Sequence, residues 1–206
     1  MVSRASCVAL GLVGMLLVGC GDRSDPATSS PDATSPEATT EAAPPALDQY
    51  LLKADEVPDL APYSSPQTDS GEPFDLPESG ADLLRRSGYI STTYQPADGA
   101  RGAGVSSVLL FETDAGARDW MAYETSDEGI QDLVPGTTIK RFDVPGVPGA
   151  TGWTGSDLHG NAIGHVYWTQ GRCMLLIGLE VEGPRVRRLS AGVEAIYERT
   201  GGTCPE

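Results

Sequence analysis

Few residues in this 206-residue chain could do chemistry. It has two histidines, His159 and His165. His159 falls in Asp157-Leu158-His159-Gly160-Asn161, a stretch whose Gly and Asn mark a turn. His165 is placed mid-strand, on a face shared with Ile163 and Tyr167. Asp157, His159 and His165 carry atoms that could ligate a metal. The expected reading is one solvated turn histidine and one structural strand histidine, so no metal is assigned. Trp153 and Trp168 fall on adjacent expected strands, each followed by Thr. With His165 and Tyr167 they make a candidate binding groove, Trp153, His165, Tyr167 and Trp168, whose indoles would stack on a sugar or lipid. The alternative, that the tryptophans are core, stays open at this point. There is no G-x-S-x-G, HExxH, P-loop or dinucleotide fingerprint. Thr137-Thr138-Ile139-Lys140 is not a nucleophile–lysine motif, because its residues alternate across a strand. No catalytic residue and no cofactor is assigned.

The cysteines divide by position. Cys7 and Cys20 lie near the start; Cys173 and Cys204 lie in the C-terminal region. Cys173 and Cys204 are expected to pair in an oxidising compartment, stapling the chain end to the last strand. In the chain-entropy picture, closing such a loop of about 30 residues is worth ~3–4 kcal/mol. A redox or metal role is not expected, since neither belongs to a CxxC and no His is next to either.

Arg4 is the only charge before Asp22, and Val8 to Val18 is almost wholly apolar. A charged start and a short apolar run read as an export signal. The run is too short to span a bilayer, which needs ~20 apolar residues. It ends in Leu17-Val18-Gly19-Cys20, which resembles the bacterial lipobox. The resemblance implies cleavage after Gly19 and a diacylglycerol thioether on Cys20, which becomes the mature N-terminus. Two acyl chains hold a protein durably where one binds marginally. The implied location is the outer face of the cytoplasmic membrane, with the membrane as a partner through the lipid on Cys20.

The net charge is −15, and removal of residues 1–19 takes only Arg4, leaving −16. So acidic a protein has no electrostatic route to nucleic acid and is repelled by anionic headgroups. Of its 14 basic residues only Lys53 and Lys140 are lysines, a bias that points to a high-GC genome. Residues 20–47 hold the lipidation cysteine and a Ser/Thr/Pro/Ala-rich tract with no aromatic residue. Such a tract cannot bury enough surface to offset its ordering entropy, so a disordered linker is expected. It would reach roughly 30 Å as a coil and up to ~80 Å fully extended. Its composition fits an O-glycosylated stalk or a bare spacer.

The elements that must position the candidate residues lie in 48–206, one domain by length. Leu47 to Val57 reads as a short helix stopped by Pro58, and 58–78 as a long Pro-rich loop carrying Tyr63 and Phe74. Ser79 is placed as the cap of a short helix ending at Arg86, followed by Gly88 in a left-handed conformation. Tyr89 to Tyr94 and Val105 to Glu112 form a hairpin. A helix then starts at Thr113 or Asp114, with Ala117, Trp120, Met121 and Glu124 at i, i+3, i+4, i+7 spacing. Residues 126–136 read as an acidic, turn-rich stretch. Thr138 to Val144, Ala150 to Ser156, Ala162 to Thr169 and Arg172 to Glu182 read as a meander with tight turns. The last strand is apolar on both faces at its start, so it is placed centrally. Pro184 opens a final helix to about Thr200. The fold class is α+β, a largely antiparallel sheet of about six strands with helices packed on it.

The segments GYISTTY and SSVLLFETDAGARDW, the meander and the closing helix resemble small extracytoplasmic lipoprotein domains of actinobacteria, some of them PsbP-like α/β/α sandwiches. The resemblance implies binding or sensing in the cell envelope, with no functional residue carried over. The function expected from the sequence is therefore a non-enzymatic lipoprotein module that binds an unknown small molecule or envelope protein. The alternative is a cell-envelope hydrolase with an unrecognised carboxylate-based site.

Overall fold

A computed structural model describes residues 46–71, 76–100, 102–181 and 185–205. The lipobox and Cys20, nearly all of the linker, Phe74 and Pro184 lie outside the described residues. The described residues belong to one compact unit, Ala43–Glu206.

The sheet has eight strands where about six were expected. The six expected strands are present: β3 (Tyr89–Gly99), β4 (Gly102–Phe111), β5 (Lys140–Asp143), β6 (Thr151–Ser156), β7 (Ala162–Gln170) and β8 (Cys173–Val181). The two additional ones are β1 (Ala61–Pro62) and β2 (Gln67–Asp69), both paired antiparallel with β3. They lie in the segment read as an irregular loop. Two- and three-residue edge strands have no alternation to detect, and prolines are tolerated there because an edge need not donate on both sides. The strand order is β1-β3-β4-β8-β7-β6-β5, every pairing antiparallel, with β8 near the middle.

Helices cover both faces. Alternation along β8 sends Cys173, Leu175, Ile177 and Leu179 to one side, against Leu189, Val193 and Ile196 of α4 (Arg185–Thr200). Met174 and Leu176 face the other side, with Leu84 of α1 (Glu78–Arg86), Trp120 of α2 (Asp114–Glu124) and Ile130 of α3 (Asp127–Leu133). A central strand buried on both faces is the physical meaning of its doubly apolar start. At Gly164 a Cβ would stand 3.0 Å from Leu189, so the missing side chain lets α4 lie close to β7.

The other departures from expectation also have local causes. Residues 47–57 form only a 3-10 turn, Asp48–Tyr50. Arg199 takes the Gln49 and Leu51 carbonyls, and the Leu52 amide donates to Ser106 Oγ, so the groups a helix would use are committed elsewhere. Leu47, Tyr50, Leu51 and Leu52 are nonetheless buried. Pro77, not Ser79, precedes α1, without a side-chain cap. The acidic stretch after α2 contains α3, capped by Ser126, whose Oγ accepts from the Gly129 amide. Asp127 and Glu128 in its first turn complement the positive N-terminal end of the helix dipole. Gly88 does adopt φ +72° after α1, and its carbonyl accepts from the Glu112 amide.

Candidate functional site

Cross-strand register, not sequence distance, decides which candidate residues meet. Trp153 of β6 pairs with His165 of β7, and His165 pairs with Gly178 of β8. A Cβ on Gly178 would stand 3.2 Å from His165 Cε1, so the glycine leaves the space the imidazole occupies. Trp153 stacks on His165 with ring centroids 4.7 Å apart and planes 7° from parallel. His165 in turn stacks on Tyr167, centroids 6.0 Å apart, and His165 Nδ1 lies 3.2 Å from the Tyr167 hydroxyl. Three of the four proposed groove residues, Trp153, His165 and Tyr167, thus form one stack on the face covered by α1, α2 and α3, where Trp153 and Tyr167 are fully buried in the core and only His165 keeps part of its surface exposed.

Trp168 is not part of it. One residue beyond Tyr167, it points to the α4 face and is fully buried there. Gln170 is oriented so that its amide oxygen accepts from Trp168 Nε1 at 3.1 Å and its nitrogen donates to the Thr203 carbonyl at 3.0 Å. Trp168 is a satisfied core residue that ties the sheet to the C-terminal tail.

Sequence reasoning missed the fourth member, Glu124. It closes the last turn of α2 and interacts with the Tyr167 hydroxyl. The signal was available: in the stripe Ala117, Trp120, Met121, Glu124, a carboxylate stands where an apolar residue belongs. Glu124 and His165 each keep part of their surface exposed, while neighbouring residues enclose their titrating atoms. That enclosure sets their ionisation. Burial pushes the Glu124 carboxyl up to about 7, opposed by the Tyr167 hydroxyl. Burial drives His165 down to about 4, so its imidazole is neutral at pH 7. The Tyr167 phenol is held well above its ordinary range by burial first and the Glu124 charge second. The Trp153 indole N–H biases that phenol toward ionisation, yet it has no hydrogen bond of acceptable geometry and is a buried donor without a partner.

The remaining candidates are apart from this cluster. His159 sits in the exposed β6–β7 turn. The Asp157 carboxylate is taken up by the His159 and Asn161 amides and the Asn161 side chain. No group of three metal-ligating residues exists among the described residues. Cys173 and Cys204 form a disulfide, with Cα atoms 5.7 Å apart. No described helix is long and apolar enough to cross a membrane.

Chemically, the cluster offers a neutral imidazole, a phenol, an indole donor and a carboxyl that changes charge near neutrality. It can accept and donate hydrogen bonds, and the Glu124 carboxyl can exchange a proton at physiological pH.

No family model matches the chain, and no curated protein matches it. Similar solved structures include two from mycobacteria. The extracellular domain of PknH from Mycobacterium tuberculosis aligns over 74% of this chain and 93% of its own, at 15% identity and TM-score 0.49. An uncharacterised Rv0999 ortholog from Mycobacterium smegmatis aligns over 69% of this chain and 89% of its own, at 12% identity and TM-score 0.41. At this distance neither assigns a residue or an activity.

Proposed function

We propose that the chain is a lipid-tethered, non-enzymatic module that binds a small ligand outside the cytoplasmic membrane, through Glu124, Trp153, His165 and Tyr167. A PsbP-like origin for the domain, a diacylglycerol on Cys20 and a disordered stalk over 20–47 belong to the same proposal. The disulfide supports an oxidising compartment, and the short apolar run before Cys20 supports export and anchoring.

The observation that carries the binding reading is the Glu124–Tyr167–His165–Trp153 stack. A core does not need it. Enclosing an ionisable carboxyl and an imidazole works against stability, and such groups gather at functional sites. Glu124 and His165 retain some exposure and are the members a ligand meets first, with the fully buried Trp153 and Tyr167 behind them.

The two histidines supply a built-in test. In proton NMR, envelope small-molecule fractions are added to the protein. The expected result is that a binding fraction moves the His165 ring resonance and leaves that of His159, in the exposed turn, in place. If no fraction moves His165, or both resonances move together, the site assignment fails.

One observation favours the second reading, a carboxylate-based envelope hydrolase. A carboxyl that titrates near 7 is suited to general acid–base work. Turnover of a cell-wall or ester substrate, lost in Glu124→Gln, would establish it; binding without turnover supports the first reading.

A further inference from the structure

A second set of polar groups converges on the opposite side of the sheet, at its β5 edge. Lys140 of β5 pairs with Thr154 of β6, and these residues alternate with Arg141 and Trp153, so they face α4 and not the aromatic cluster. With Gly136, Thr138, Gly155, Ser156, Asp157 and Arg185 they line an open pocket of about 420 Å³.

Its chemistry runs against that of the chain. The protein is strongly acidic and has two lysines, one of them here. Elsewhere among the described residues Arg141 pairs with Asp127, Arg188 with Asp59 and Arg199 with Glu56, while Arg86, Arg118 and Arg187 are single cations that line no pocket with a second one. Among the described residues, Lys140 and Arg185 have no carboxylate partner. The hydroxyls of Thr138, Thr154 and Ser156 likewise make no hydrogen bond to a described residue. The neighbouring Thr137 hydroxyl, by contrast, donates to the Ser156 carbonyl. The one acid in the lining, Asp157, is engaged by its own turn, which holds its carboxyl below the usual range despite some burial.

Two unmatched cations and three unmatched hydroxyls around one space suit a tetrahedral oxyanion. The ammonium and guanidinium supply charge, and the guanidinium and hydroxyls supply several directed donors. The net charge of the chain opposes any anion. At physiological salt, however, charges beyond ~8 Å are largely screened, so the lining decides: Lys140 and Arg185 against Asp157, one net positive charge.

We propose that this pocket binds a phosphate group, as a monoester or a diester, through Lys140, Arg185, Thr138, Thr154 and Ser156. A soluble phosphorylated small molecule and a glycerophospholipid headgroup both present that chemistry.

The test uses the isotope-labelled full chain in a neutral detergent, followed by amide NMR. Inorganic phosphate and glycerol 3-phosphate represent the soluble source; short-chain phosphatidylglycerol represents the headgroup. The expected result is saturable movement of the Gly136, Gly155 and Ser156 amides with at least one probe. Affinity should weaken at least tenfold in the double variant Lys140→Gln, Arg185→Gln, whose spectrum should otherwise keep its dispersion. Thr154→Val, which keeps the methyl that lies against Gly164, should weaken binding without loss of fold. Response to inorganic phosphate or glycerol 3-phosphate but not to the lipid identifies a soluble phosphate; response to the lipid alone identifies a headgroup. Absence of saturable movement with all three probes, or equal affinity in the folded double variant, overturns the proposal.

Discussion

Glu124 and His165 impose opposite pH dependences on stability, and substituting one should expose the other. The Glu124 carboxyl titrates near 7 in the folded protein and near 4.5 when unfolded. Its contribution is therefore fully present below pH 4.5 and is lost as the pH rises through 7. The His165 imidazole titrates near 4 when folded and near 6.5 when unfolded. Its contribution is fully present above 6.5 and is lost as the pH falls through 4. Each displacement corresponds to about 3 kcal/mol, at 1.36 kcal/mol per pH unit. Between 4.5 and 6.5 the folded state holds one proton more at Glu124 and one fewer at His165, so the two slopes cancel. Glu124→Gln removes the first slope. Relative to wild type, the variant should gain up to about 3 kcal/mol as the pH is raised from 4 to 7.5. Its own stability should rise through the histidine window while that of wild type stays nearly level. Urea midpoints followed by tryptophan fluorescence at half-unit pH steps measure this. Parallel profiles for the two proteins would refute the enclosure of Glu124.

Other perturbations test the frame around the cluster. Trp168→Ala should cost ~3–5 kcal/mol in chemical denaturation, as large aromatic truncations in cores do, and should leave the His165 resonance in place at low denaturant. Reducing the Cys173–Cys204 disulfide should lower stability by ~3–4 kcal/mol, and before reduction neither cysteine should alkylate under native conditions. Arg199→Ala removes an ion pair to Glu56 and the donors to the Gln49 and Leu51 carbonyls. It should cost about 3 kcal/mol and raise amide exchange over residues 49–57 before the sheet exchanges.

How far the sequence determines this structure depends on the kind of interaction. The long strands and α4 were legible because the core imposes periods of 2 and 3.6 on their side chains, as in Cys173 to Leu179 and Leu189 to Ile196. β1 and β2 were not, because strands of two and three residues carry no period and exist only where β3 offers an edge. The expected helix after Leu47 gave way to partners distant in sequence, Arg199 and Ser106. The candidate site shows the same division. The His165–Tyr167 face followed from alternation, and Trp153 joined it through register. Trp168 separated from them by a single residue of parity. Glu124 lies 43 residues before Tyr167 in the chain, and only the packing of α2 on β7 brings them together.

The central claim, a ligand held at this cluster, is most directly tested by mass. The protein is purified gently from its own host in a neutral detergent and weighed under native and denaturing conditions, as wild type and as His165→Ala. The account predicts that native wild type carries a non-covalent mass that leaves on denaturation, and that folded His165→Ala lacks it. A wild type with no such mass, or a variant that retains it, would contradict the account.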